Sequence, residues 1–117
     1  MSQYLLLLYN DPQQWAKMSP EEMQKAVQKF VGWRNKLQTS GFYLGSNRLT
    51  DEPGKVLRGH KPVRVTDGPY SETKEILGGY FLFEAPNYEE AVRVSQDCPN
   101  LEYNGTMELR EVFPMIP

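Results

Sequence analysis

Residues 76–84 read ILGGYFLFE, and this stretch decides the fold. Its centre, YFLF at 80–83, is apolar without a break. Because the side chains of a strand alternate between two faces, such a run predicts a strand that is covered on both sides. Gly78-Gly79 just before the run favours a bulge or a close backbone approach. We therefore expect a central strand over 76–84.

A second strand of the same kind is predicted at the N-terminus. Residues 4–8 are YLLLL, which predicts a strand over 3–9. The turn-forming residues NDP at 10–12 end it, and a polar loop bearing Trp15 is expected next.

A long helix follows this loop. Ser19 is placed to cap it, Pro20 suits the first helical position, and Glu22 completes a capping box. The helix should run to about Gln38, with Gly41 as its stop. Apolar residues at three- and four-residue spacings predict one core-facing stripe: Met23, Ala26, Val27, Phe30, Val31 and Leu37.

The remaining elements are shorter. Strands are predicted over 42–49 and 105–113, a hairpin over 55–58 and 63–66 that turns through Gly59-His60-Lys61, and one helical turn over 71–75. A second helix is expected after Asn87, with Glu90 completing its capping box and Pro99 ending it. Its buried side is predicted to comprise Ala91, Val92 and Cys98.

This order predicts an α+β, ferredoxin-like fold: an antiparallel sheet with two helices on one face and an inserted hairpin. The two helices leave the other face of the sheet open, yet the apolar runs require a second cover. We expect a homodimer through the open sheet face. The alternative is that Trp15 and the hairpin cover that face within one chain.

Composition limits the function classes. The 117 residues suit a single domain over 1–117, and the net charge of −2 comes without a Lys or Arg run, which disfavours direct nucleic-acid binding. The apolar N-terminus is too short for a signal peptide or a membrane span, so we expect no membrane partner and a cytoplasmic location.

Several kinds of catalytic and metal site are excluded because the sequence lacks the residues that they require. His60 is the one histidine and Cys98 the one cysteine, so neither a His-based metal cluster nor a CxxC motif is present. His60 is expected at a solvated hairpin tip, and Cys98 as a small buried residue. With no phosphate-binding glycine motif either, we expect no metal and no cofactor.

The remaining candidate site is the loop VTDGPYSETKE at 65–75. Asp67 could serve as acid/base or anchor, Tyr70 as a wall with a polar handle, and Lys74 as an anion-binding group. The alternative interpretation is structural. Asp67 then accepts hydrogen bonds from backbone N–H groups in the turn, and Glu72 and Glu75 lie in solvent.

This loop resembles the signature of the YCII-related (YciI-like, DGPF-domain) family. The similarity rests on DGPY at 67–70, Glu72, KE at 74–75 and LGGY at 77–80, and it extends to YLLLLY at 4–9, Trp15 and SPEEM at 19–23. It covers nearly the whole chain. The resemblance implies a ferredoxin-like fold that dimerises sheet to sheet as a dimeric α+β barrel.

The resemblance implies less about activity. A His-Asp acid/base pair is suggested for YciI-like proteins, and Asp67 matches the aspartate of the motif. This chain departs from the pattern at two places. The Asn47-Arg48 region lacks the histidine that some relatives carry, and Tyr70 replaces the phenylalanine of the motif. Our leading hypothesis is a homodimer that binds a small polar or aromatic metabolite near the Asp67 loop, with acid/base catalysis by Asp67. The ligand-binding candidates are Tyr9, Trp15, Tyr70, Glu72 and Lys74. The alternatives are a non-catalytic accessory or regulatory module associated with an extracytoplasmic-function sigma factor, and a domain whose loop only stabilises the dimer.

Overall fold

The computed structural model describes residues 1–68 and 75–114 of the chain. Its helices and strands, in chain order, are β1 (Ser2–Asn10), α1 (Pro12–Ala16), α2 (Pro20–Ser40), β2 (Tyr43–Arg48), β3 (Lys55–Arg58), β4 (Arg64–Asp67), β5 (Ile76–Ala85), α3 (Tyr88–Ser95) and β6 (Thr106–Glu111). A short 3-10 helix, Pro99–Leu101, lies between α3 and β6.

The main sheet has four strands in the order β2-β5-β1-β6, and every neighbouring pair is antiparallel. This is the ferredoxin-like arrangement, so the predicted fold class is confirmed. The two apolar runs form the two central strands, β1 and β5. Strands β3 and β4 form a separate two-stranded sheet, the predicted hairpin.

The register of the central strands sorts their side chains between the two faces. Tyr4 lies opposite Phe83 and Leu6 opposite Phe81, and all four are buried on the face covered by helices. From α2, Trp33 packs edge-on against Phe81 with their ring centroids 4.7 Å apart, and it belongs to the core.

The other face of the sheet is also apolar at its centre. Leu5 lies opposite Leu82 and Leu7 opposite Tyr80, and all four are half-buried. On the β6 side, Arg110 and Glu108 pair with Leu5 and Leu7 and form an ion pair with each other at 3.3 Å. This outer face is therefore an apolar centre with a charged border.

Local chemistry fixes α2 at both ends as predicted. The Ser19 hydroxyl accepts a hydrogen bond from the backbone N–H of Glu22 at 3.1 Å, and the Glu22 carboxylate accepts one from the Ser19 N–H at 3.3 Å. Gly41 ends the helix in the left-handed conformation, with φ of 85°. The helix runs to Ser40, two residues beyond the prediction.

The segment after β1 was predicted wrongly. It is helix α1, not a loop, because Asp11 accepts a hydrogen bond from the Gln13 N–H at 2.9 Å and Pro12 takes the first helical position. Asp before Pro is equally good turn chemistry and helix-capping chemistry, and the sequence pattern does not separate them.

The second helix was predicted too long. α3 ends at Ser95, and Pro99 begins the 3-10 helix instead of ending α3. Asn87 caps α3 by accepting a hydrogen bond from the Glu90 N–H. The Glu90 carboxylate pairs with Arg93, and a hydrogen bond from the Asn87 N–H to that carboxylate, which would complete the capping box, is not among the contacts of the described residues.

Burial in and after α3 also differs in part from the prediction. Ala91 is buried as predicted, whereas Val92 is 45% exposed. Cys98 is buried, but beyond the end of the helix.

The other boundaries differ by at most two residues. β2 and β6 are shorter than predicted, and β4 starts and ends one residue later. The helical turn predicted over 71–75 lies, except for Glu75, outside the described residues.

Candidate functional site

A cleft of about 360 Å³ opens between α2 and the sheet. Its lining combines apolar side chains, two glycines and a few polar groups: Leu8, Asn10, Trp15, Met23, Val27, Phe30, Val31, Arg34, Ser46, Asn47, Arg48, Asp51, Gly78, Gly79, Tyr80 and Phe81.

The helical wall of the cleft is apolar and aromatic. Met23, Val27 and Phe30 project from one side of α2, and the α1 side chain Trp15 packs beside them, 6.3 Å from Phe30 between ring centroids. Tyr103 supports Trp15 from the other side at 5.2 Å. The missed helix α1 therefore has a clear role, since it places Trp15 at the cleft.

The sheet wall is open because two glycines line it. β1 and β5 shift register between Leu8 and Tyr9, which leaves Gly78 as an extra residue in β5, the bulge that the sequence predicts. A Cβ on Gly78 would lie 2.6 Å from Asn10 Oδ1, and one on Gly79 would lie 2.8 Å from the Asn47 carbonyl oxygen. Both distances are below normal contact, so larger side chains do not fit this wall without a shift.

Asn10 is held at the cleft by a fully buried neighbour. Its Nδ2 donates to Asn100 Oδ1 at 3.0 Å, and Asn100 Nδ2 donates to the carbonyl oxygens of Tyr9 at 3.3 Å and Thr106 at 3.2 Å. Asn100 thereby joins the C-terminal end of β1 to the start of β6. Buried amides satisfied in this way rigidify the elements that they connect.

The polar groups of the cleft differ in how far they are satisfied. Asn47 Nδ2 donates to the Tyr80 hydroxyl at 2.9 Å on the outer side of the sheet, and Arg48 lies 3.9 Å from Asp51 in an exposed ion pair. Arg34 differs: its Nε is shielded from solvent and has no hydrogen-bond partner among the described residues.

Of the residues predicted for the site, Trp15 lines this cleft. Tyr9 lies outside its lining, and its hydroxyl donates to Glu108 at 3.3 Å. Burial, and then the Glu108 carboxylate, raise the pKa of the Tyr9 hydroxyl above its ordinary value. The predicted ligand-binding residues Tyr70, Glu72 and Lys74 lie outside the described residues.

Asp67, the candidate acid/base, ends β4 in the separate hairpin and is not part of the cleft lining. Its carboxylate is 86% exposed and accepts a hydrogen bond from Lys55 Nζ at 2.5 Å. The next residue, Gly68, is packed so closely against Pro53 that a Cβ would overlap the Pro53 carbonyl group. Both contacts, the Asp67–Lys55 ion pair and the packing of Gly68 on Pro53, hold together the end of the hairpin where β3 begins and β4 ends.

The other reactive side chains are placed as the sequence predicts. His60 is exposed in the turn between β3 and β4. Cys98 is 2% exposed, and burial raises the pKa of its thiol to about 11. Within residues 1–68 and 75–114, no group of three or more His, Cys, Asp or Glu side chains is arranged to hold a metal ion, and no helix has the length and apolarity to cross a bilayer.

Sequence reasoning missed Arg34, although the sequence does carry a signal for it. Arg34 follows Val27 by seven residues, Phe30 by four and Val31 by three, so it falls on the apolar stripe of α2. A charged residue on such a stripe is unusual and marks a position where the helix faces something other than core.

The comparison with known proteins leaves the chemistry of the cleft open. An uncharacterised protein of Rhizobium meliloti (strain 1021) is 28% identical over 110 residues, which cover 92% of this chain and 89% of the relative. A model of the YCII-related domain matches residues 2–116. With that match over almost its full length, the chain belongs to the YCII-related domain family.

Proposed function

We propose that this chain binds a small organic molecule in the cleft between α2 and the sheet. The proposal is carried by the cleft itself, whose volume of about 360 Å³ and apolar, aromatic lining with a few convergent polar groups are typical of ligand sites. The aromatic side chains Trp15 and Phe30 suit a flat or ring-shaped ligand body.

The cleft is built from rigid parts, which favours binding. The capping box and the Gly41 end fix α2, and Asn100 fixes the end of β1 beside Asn10. A preformed site loses little conformational entropy when it is filled.

The test is binding of a neutral flat probe, 2-naphthamide, followed by ligand-observed NMR. Val27→Trp fills the cleft from a position that is 48% exposed, so it should abolish binding without disturbing the core. Val92→Trp is the matched control, because Val92 is 45% exposed on α3 and does not line the cleft. Equal binding by both variants would contradict the proposal.

Acid/base catalysis by Asp67 remains a separate part of this proposal. The exposed ion pair with Lys55 supports a structural role in the hairpin more than a role in proton transfer. The two roles are separated by the Asp67→Asn variant described in the Discussion.

The functional unit is a homodimer in this proposal, with the outer sheet faces of two copies packed together. Leu5, Leu7 and Leu82 are half-buried on that face, and Glu108 and Arg110 border them, an arrangement typical of an interface core with a charged rim. Light scattering at micromolar concentration should give the dimer mass, and Leu7→Glu should give the monomer mass. A wild-type monomer would contradict this.

The second candidate, an accessory module that acts with an extracytoplasmic-function sigma factor, rests on the family resemblance. It predicts that pull-downs with the tagged chain recover a sigma factor. Recovery of the chain alone would contradict it.

A further inference from the structure

Arg34 is a cleft residue whose cationic side chain lacks a partner among the described residues. It lines the cleft, makes no ion pair or hydrogen bond with the described residues, and has its Nε shielded from solvent. Shielded polar atoms in folded proteins almost always have a hydrogen-bond partner. A guanidinium that lines an apolar cleft without an ion-pair partner among the described residues is therefore available to an anionic group that enters the cleft.

The other charges in the cleft do not compensate Arg34. Arg48 and Asp51 face each other at 3.9 Å with side chains 67% and 65% exposed, so they lie at the solvent side and largely cancel each other. The apolar walls around Arg34 strengthen its field relative to open water. The inner cleft consequently favours a negative group.

Tyr80 does not supply a second donor, because the strand register places its side chain beside Leu7 on the outer face of the sheet, away from α2. Arg34 is therefore the group that sets the charge preference of the inner cleft.

We propose that the ligand of this cleft is an organic carboxylate with a flat apolar body. Arg34 binds the carboxylate, and the body packs against Trp15 and Phe30. A guanidinium matches a carboxylate in geometry and charge, and charge-assisted bonds of this kind are about twice as strong as neutral ones. This assignment rests on the proposed cleft function and names its ligand class.

The test compares two probes of nearly the same shape, 2-naphthoate and its neutral amide, 2-naphthamide. The dissociation constants are measured by NMR titration of the Trp15 indole N–H for wild type, Arg34→Met and Arg34→Lys. The control is Lys36→Met, which removes an exposed cation from the same helix. Lys36 lies 3.7 Å from Asp97 and does not line the cleft.

Wild type should bind 2-naphthoate about tenfold or more tightly than 2-naphthamide. Arg34→Met should remove that preference by weakening 2-naphthoate binding far more than 2-naphthamide binding, Arg34→Lys should restore part of it, and Lys36→Met should have no effect.

The failures of the two proposals are distinguishable. Equal binding of both probes in the cleft, unaffected by Arg34→Met, would overturn the carboxylate assignment and leave the cleft proposal standing. Absence of binding by either probe, or binding that Val27→Trp does not disturb, would overturn both.

Discussion

Asn47 and Tyr80 lie opposite each other on neighbouring strands, and the Asn47 amide donates a hydrogen bond to the Tyr80 hydroxyl over 2.9 Å. The register places both side chains on the outer face of the sheet, beside Leu7, so this bond fixes the phenol on the side away from α2. The cleft lies on the other face, where Arg34 is the cation of its inner part.

Tyr80→Phe should leave the binding of 2-naphthoate and of 2-naphthamide nearly unchanged, because the Tyr80 hydroxyl lies on the outer face of the sheet. The titration described for Arg34 measures both affinities. A loss of roughly threefold or more in 2-naphthoate affinity in a folded variant, the effect of one hydrogen bond, would show instead that Tyr80 contacts the carboxylate.

Arg34→Met should not destabilise the free protein. The substitution removes a shielded donor that has no partner among the described residues, so the free energy of unfolding should stay within about 0.5 kcal/mol of wild type or rise. Lys29→Met is the contrast, because Lys29 pairs with Glu102 and lies over the Tyr103 ring at 5.6 Å, and its loss should lower Tm. Urea denaturation of both variants tests this. A larger loss for Arg34→Met would mean that Arg34 is a structural residue.

Gly79→Ala and Gly32→Ala should have opposite effects on stability. A Cβ at Gly79 meets the Asn47 carbonyl at 2.8 Å, so the β2–β5 pairing must shift. Gly32 lies in α2 with nothing within 4 Å of its Cβ position, and alanine there should stabilise the helix by about 0.5–1 kcal/mol. Thermal denaturation gives both signs. A stabilised Gly79→Ala would contradict the close approach at the cleft wall.

The glycine of the DG pair should be more sensitive than its aspartate. Gly68→Ala should speed amide hydrogen exchange in β3 and β4, because a Cβ has no room beside Pro53. Asp67→Asn loses only an exposed ion pair with Lys55 and should change exchange, Tm and probe binding little. Loss of 2-naphthamide binding in a folded Asp67→Asn variant would instead favour Asp67 as a site residue.

Stability should decrease at alkaline pH because of Cys98. Burial raises the pKa of this thiol from 9.0 to about 11, so the unfolded chain ionises at a lower pH than the folded chain. The stabilising contribution of the neutral thiol is complete below the unfolded pKa and falls as the pH rises towards 11, by roughly 1–2 kcal/mol. Denaturation at pH 8 and pH 10.5 should show a smaller decrease for Cys98→Ala. Parallel decreases in both proteins would contradict the buried pKa.

The fold was predictable because its signals are local or strictly periodic. Each of these signals depends on a few adjacent residues. They are the capping box of Ser19 and Glu22, the helix end at Gly41, and the apolar runs of β1 and β5. Where a local signal has two meanings, the prediction failed, as at Asp11-Pro12, which begins α1.

The site was less predictable because it depends on distances between elements. The sequence drew attention to the Asp67 loop, which is polar and compact in sequence, whereas the cleft draws on α1, α2, β2 and β5. Trp15, a candidate from the sequence, lines this cleft. Arg34 could be recognised as a cleft residue only from the structure. The sequence does not distinguish an arginine in solvent from one that lines a space between α2 and the sheet.

The most direct test of the cleft is the position of bound 2-naphthoate, measured by intermolecular nuclear Overhauser effects. Contacts between the naphthalene protons and the methyl groups of Val27 and Val31 are predicted, together with a shift of the Arg34 Nε–H resonance as the carboxylate binds. Contacts with Leu5, Leu7 and Leu82 on the outer sheet face, and an unchanged Arg34 resonance, would contradict the account.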